Sequence, residues 1–127
     1  MSTGTWVGGV VPTSSSDVQL NATSGNVTLT GTSACRSLDC TGYTGTFARG
    51  SAALTIGDAT AGLSNIALKL VAGMTITGTN NITFGSTNAT QQTIETAGKS
   101  IYGFTFNGLG GSWILSDALT ITNGITT

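Results

Sequence analysis

The chain has 127 residues, enough for one domain, with four Lys+Arg, five Asp+Glu, no His and a formal net charge of −1. Only 7% of the residues are charged, against about a quarter in an ordinary domain. The four scattered cations exclude nucleic-acid binding by counterion release, no basic amphipathic helix suggests a membrane surface, and no apolar run approaches the roughly 20 residues that span a bilayer. Disorder is excluded too, because hydrophobic residues make up 39% of the chain. Thr supplies about a fifth of the chain; with Val, Ile and Gly it disfavours helix.

Residues 1–16 differ from the rest. The start lacks a basic segment followed by an apolar one, so no secretory signal is expected. Thr5-Trp6-Val7-Gly8-Gly9-Val10-Val11-Pro12 holds the one Pro and one of two Trp, and Thr13-Ser14-Ser15-Ser16 follows as a loop or cap. We read 1–16 as an N-terminal cap or attachment segment, with Trp6 over the first rung and Trp6 and Val7 as the docking residues.

From residue 17 onward one short phrase keeps returning: apolar, small polar, apolar, then a turn residue. It appears as Val27-Thr28-Leu29, Leu54-Thr55-Ile56, Met74-Thr75-Ile76, Ile82-Thr83-Phe84, Phe104-Thr105-Phe106 and Leu119-Thr120-Ile121. Apolar residues two apart share one face of a strand. Each phrase is too short to form a core alone, but stacked rungs would share one. The phrases and turn signals predict strands over 17–22, 26–30, 36–40, 44–48, 52–57, 65–71, 74–77, 81–85, 91–95, 100–106, 112–115 and 118–122. At three faces per coil these make four or five coils, about 20–25 Å tall. The expected fold is therefore all-β, a parallel β-solenoid (β-helix) over 17–127 behind the cap. Ile56, Ile76, Ile94 and Ile114 recur near a spacing of 20, and Phe84 and Phe106 lie 22 apart. The rival is a β-sandwich, favoured by the hairpin-type pairs Asn107-Gly108 and Asn123-Gly124. The strand-like end, 119–127, has no polar cap, which points to a covering partner chain or to a longer protein.

Chemistry-bearing residues are few. Cys35 and Cys40 are five apart; in extended chain their Cα atoms would lie about 16 Å apart, whereas a disulfide needs about 4.4–6.8 Å. A bridge would require a tight loop, and two buried free thiols are the preferred reading, in keeping with a reducing compartment. Two Cys without His make half a zinc ligand set, so no metal site is expected. The carboxylates are Asp17, Asp39, Asp58, Glu95 and Asp117. Stacked coils would bring Asp39 near Asp58 or Glu95 near Asp117, as glycoside cleavage requires, but turn and strand-edge roles fit each better. Without His the usual Ser and Cys triads are absent, and Gly108-Leu109-Gly110-Gly111 lacks the Lys and helix of a phosphate loop. No catalytic residue and no cofactor is expected. Asn65, Asn80, Asn81, Asn88 and Asn107 are expected to stack as amide ladders in turns. The Asn-X-Thr triplets at 21, 26, 81 and 88 follow from the abundance of Asn and Thr. Thr28-Leu29-Thr30 and Thr75-Ile76-Thr77 have the form of an ice-binding face, which the other phrases lack.

Four stretches carry a resemblance. They are Trp6 to Val18 with Pro12; Cys35-Arg-Ser-Leu-Asp-Cys-Thr-Gly-Tyr-Thr-Gly-Thr-Phe47; Leu54-Thr-Ile-Gly-Asp58; and Lys99 to Leu115 with Phe104-Thr-Phe-Asn-Gly108 and Gly110-Gly-Ser-Trp113. Together they resemble β-strand-repeat (parallel β-solenoid) virion structural proteins of tailed bacteriophages. The resemblance implies a non-enzymatic fibre, spike or capsid decoration, located in the virion and assembled in the host cytoplasm. It implies other virion proteins of capsid or tail as partners and a homo-oligomer, by analogy a trimer, and it allows a host surface glycan. Such proteins are often long, and this chain looks like their N-terminal portion. The passenger regions of secreted bacterial surface adhesins have similar repeats and are the alternative; a carbohydrate-cleaving spike is the third reading.

Overall fold

The computed structural model describes residues 10–127; Trp6 and Val7, the expected docking residues, lie outside the described residues. The described chain is all-β with thirteen short strands. These are β1 Asp17–Gln19, β2 Val27–Thr28, β3 Ser33–Cys35, β4 Ser37–Asp39, β5 Thr46–Ala48, β6 Leu54–Ile56, β7 Ile66–Lys69, β8 Thr75–Thr77, β9 Ile82–Phe84, β10 Gln91–Glu95, β11 Ser100–Phe106, β12 Ser112–Leu115 and β13 Thr120–Thr126. Sheet I is ordered β1-β4-β7-β10-β12, sheet II β2-β5-β8, and sheet III β3-β6-β9-β11-β13. Every strand pair among the described residues is parallel. The antiparallel sandwich is thereby excluded, since its hairpins would pair consecutive strands in opposite directions.

The chain visits the sheets in a fixed cycle, I to II to III, three times. Each strand from β4 to β10 lies on the strand three before it. After β10 the turn Thr96–Lys99 leads directly into sheet III, and sheet II ends at β8. Ala97 and Gly98 take positive φ there, 52° and 70°, which tightens the chain enough to omit a strand.

Register puts like on like in the interior. One inward row runs Val18, Leu38, Leu68, Ile94, Leu115. A second runs Cys35, Ile56, Phe84, Phe106. A third is Leu54, Ile82, Phe104, Ile125. The Phe rings continue the stacking: Phe84 and Phe106 lie 5.1 Å apart and nearly parallel, while Phe104 meets Phe84 edge-on at 5.0 Å. Outside, Thr55, Thr83, Thr105 and Thr126 form a column in register. That alternation is the direct consequence of the period-two phrase.

Several expectations need correction. Phe84 and Phe106 share a row as expected, with Ile56 on it, but no two of Ile56, Ile76, Ile94 and Ile114 share one. Ile76 pairs with Phe47 in sheet II, and Ile114 lies over Thr93 on an outer face. Circuit length is the reason: Asp17 meets Ser37 after 20 residues, but Leu38 meets Leu68 after 30. The extra length is the segment between β6 and β7, which carries a 3-10 turn at Leu63–Asn65 with Ser64 and Asn65 at positive φ. A fixed period therefore slips. Asn123-Gly124, read as a turn, lies within β13, where Gly124 pairs with Gly103 beside a register shift. A Cβ on Gly103 would sit 2.1 Å from Asn81 Oδ1 and 2.7 Å from Gly124 O, so β11 has no room for a side chain there, whereas a Cβ on Gly124 would meet nothing within 4 Å. The strand β3 was not expected, because Ser-Ala-Cys lacks branched residues and a single corner residue, Arg36, separates it from β4.

Replacing fully buried Phe84 with Ala should cost about 3–5 kcal/mol, whereas Thr83→Ala on the outer face should stay within about 0.5 kcal/mol. Guanidinium midpoints of the two variants, at unchanged slope, check this.

Candidate functional site

The corner between sheets III and I gathers half of the buried polar residues, Ser37, Ser86 and Gln92. Asp17 opens β1 and Arg36 is the corner residue after β3. Arg36 donates from Nε to Asp17 Oδ1 at 3.0 Å and from Nη2 to Oδ2. Ser37 Oγ and the Leu63 N–H also donate to Asp17 Oδ1, at 2.6 and 3.1 Å. The Arg36 hydrogen bond in particular holds the Asp17 carboxyl down at about 2. One carboxylate thus ties β1, β4 and the segment before β7 together.

A second buried cluster sits one circuit further on. Gln92, fully buried on β10, donates to Ser86 Oγ at 2.7 Å and accepts from the Gly62 N–H at 3.2 Å. Ser86 Oγ donates to Asp58 O at 3.0 Å and accepts from the Asn88 N–H. Glycines make the corner: a Cβ on Gly57 would be 2.3 Å from Ser86 N, and one on Gly108 1.9 Å from Ser86 O. Each donor and acceptor in this network serves a neighbouring circuit, which leaves little capacity for a ligand.

The five carboxylates do not converge. Asp39 lies on the outer face of sheet I in a row Gln19, Asp39, Lys69, Glu95, which alternates charge from Asp39 onward. Its Oδ1 accepts from the Thr41 N–H and hydroxyl at 2.9 and 2.6 Å. Asp58 belongs to the opposite corner, where its carboxylate accepts from the Ala59 N–H. Asp39 and Asp58 thus each hold their own turn, the role expected of them in preference to a catalytic pair. Asp117 does reach the circuit of Glu95, but it accepts the Thr96 N–H on both oxygens, at 2.9 and 3.0 Å. Burial pushes the Asp117 pKa up, and the N–H groups of Thr96, Ala97 and Gly98 outweigh it and hold the carboxyl below its usual range. Among the described residues no three His, Cys, Asp or Glu lie close enough to hold a metal.

Asn80, Asn81 and Asn88 bridge circuits, two of them to backbone carbonyls and Asn81 to a side-chain hydroxyl. Asn88 Nδ2 reaches Ala59 O at 2.9 Å, Asn80 Nδ2 reaches Ser51 O at 3.3 Å, and Asn81 Nδ2 reaches Thr105 Oγ1 at 3.0 Å. Adjacent circuits differ in length, so amides of equal sequence position do not coincide, which corrects the expected ladder.

Two further features lie in the interior. Cys35 and Cys40 are free and buried, and desolvation pushes both thiols up to about 12. Arg49 is only 1% exposed, two residues past Phe47 and so on the inward face. Its Nη2 donates to Asn80 O at 3.1 Å, while Nε and Nη1 have no protein partner. Burial lowers its pKa. Gly78 makes the space, since a Cβ there would lie 2.9 Å from Arg49 Nη2. Sequence reading missed this buried charge; its one signal was the even spacing from Phe47.

The described part of the expected attachment segment borders an open groove of about 690 Å³ lined by Val10, Val11, Pro12, Val18, Leu20 and Val27 among others. No family model matches the chain, and no curated protein or solved structure matches it.

Three outcomes follow. Asp17→Asn should destabilise by about 1–3 kcal/mol, because the buried Ser37 hydroxyl and the Leu63 N–H lose a charged acceptor. Asp17 is depressed from 3.8 to about 2, so its stabilisation is present above the ordinary carboxylate value and lost as pH falls through about 2; acid unfolding followed by circular dichroism should lose that component in the variant. Arg49→Met should raise the melting temperature, since it keeps the apolar stem and removes an uncompensated buried charge. Neither thiol should react with a disulfide reagent at pH 8 until the chain is unfolded, as thiol titration with and without denaturant would show.

Proposed function

We propose that the three parallel sheets are the three faces of one β-solenoid, and that this chain is a non-enzymatic structural component of a tailed-bacteriophage virion: a fibre, spike or capsid decoration. The observation that carries this reading is the strand order. Each strand from β4 to β10 lies on the strand three before it, in parallel register, over a shared row of Leu, Ile and Phe. A stack of that kind is a stiff rod by its backbone ladders alone, and stiffness is the property a fibre or appendage uses.

Other observations support the structural role. The carboxylates serve the frame: Asp17 and Asp117 hold neighbouring circuits, and Asp39 and Asp58 cap their own turns. The outer faces are Thr-rich and nearly uncharged, as in the column Thr55, Thr83, Thr105, Thr126. The buried free thiols fit assembly in a reducing cytoplasm rather than an oxidising envelope.

The test is immuno-electron microscopy of the native source material with antibody against this chain. Label on particle heads or tails is expected. Label on cell envelopes beside bare particles would overturn the virion role and leave the surface-adhesin passenger reading standing.

A further inference from the structure

Period-two phrases are nearly interchangeable as neighbours. Any of them sets apolar on apolar, and a strand that slips by two residues keeps the same face inward. Sheet II is the most open to such slips. Its strands are two, three and three residues long. Its outer face pairs Thr28 with Ala48, Ala48 with Thr77 and Thr46 with Thr75, small side chains that discriminate little. Its inward pairs, Val27 with Phe47 and Phe47 with Ile76, are apolar contacts that other phrases would also satisfy.

Arg49 is the exception in this sheet. It follows Phe47 on the inward face, in the row Leu29, Arg49, Gly78. Its stem and guanidinium run directly beneath Gly78, where a Cβ would lie 2.9 Å from Nη2, 3.0 Å from Cζ and 3.1 Å from Arg49 Cβ. Nε and Nη1 lack protein partners, so Asn80 O, at 3.1 Å from Nη2, is the one acceptor this buried charge has. The observed register supplies the gap and the acceptor together. A slip of β8 by two residues sets Ile76 over Arg49 in one direction and Asn80 in the other, and each places a side chain where Gly78 has none. The same slip carries Asn80 O about 6.6 Å along the strand, and a buried charge stripped of its acceptor is strongly disfavoured. Nor would another phrase serve in place of β8. In β6, β7 and β9 the residue at the position of Gly78 is Asp58, Leu70 or Ser86.

We propose that Arg49 selects the register of sheet II: it lowers stability as a buried charge, and it admits one neighbour, the stretch Gly78–Asn80. A lone polar residue in an apolar seam fixes the register of helical coils by the same physics. The device rests on burial, space and one hydrogen bond, and it does not depend on the virion reading.

Nuclear magnetic resonance of the full chain, refolded from guanidinium, tests it. The wild type should give one set of amide signals, with contacts between Phe47 and Ile76. Arg49→Met should melt higher and yet show a second set of signals for residues 27–29, 46–49 and 75–78, from at least about one molecule in ten. Arg49→Lys keeps a buried charge and donor and should restore the single set. A role in packing alone would move the melting temperature without splitting any signal. A single set in Arg49→Met with the Phe47–Ile76 contacts intact, failure of Arg49→Met to fold, equal splitting in Arg49→Lys, or two sets in the wild type would each overturn the proposal.

Discussion

Parallel in-register pairing between successive circuits is the constraint on which everything else here depends. The strands are two to seven residues long, and none could bury its apolar side chains alone. Pairing supplies a neighbour for each of them. Once Leu38 is set on Leu68 and Ile56 on Phe84, the interior becomes continuous rows, and each backbone group in the ladder gains a partner across the rung. The corners obey the same constraint. Gly57 and Gly108 let successive corners approach to distances that a Cβ would forbid, so sheets III and I remain in step even where circuits differ by ten residues.

Polar chemistry in this chain is largely committed to holding circuits together. Asp17 on β1 binds groups from two other segments, Arg36–Ser37 and Leu63, Ser86 and Gln92 reach Asp58 and Gly62 in the segment between β6 and β7, and Asn88 and Asn80 amides reach across to backbone carbonyls. A group fully occupied in this way has few lone pairs or protons left for a substrate. Arg49 departs from the pattern. It is as buried as the core aliphatics, yet two of its guanidinium nitrogens lack protein partners. The adjacent Gly78 shows that the backbone accommodates it by omission of a side chain rather than by provision of a counter-charge.

The parallel sheets are not uniform along their strand order. Leu115 and Ile125 are 43% and 53% exposed, whereas Leu38, Leu68, Ile82 and Phe104 in the same rows are buried. Loss of sheet II after β8 adds to the asymmetry, because the turn Thr96–Lys99 replaces a whole strand.

The sequence by itself determined the class of fold. Period-two apolar phrases between Gly, Asn and Thr turns placed twelve strands, each overlapping one seen in the structure, and separated inward Leu, Ile and Phe from outward Thr. Those features are local, set by side-chain alternation within a few residues. It did not disclose β3, the strand around Asn123-Gly124, or which residues share a row, since these depend on how long each circuit runs and whether a corner takes one residue or nine. Pairing partners, the Asp17 cluster, the separation of Asp39 from Asp58 and buried Arg49 were decided by tertiary structure alone. Each is a relation between residues about 20 to 46 positions apart, and no local pattern encodes a distance that an inserted turn can change.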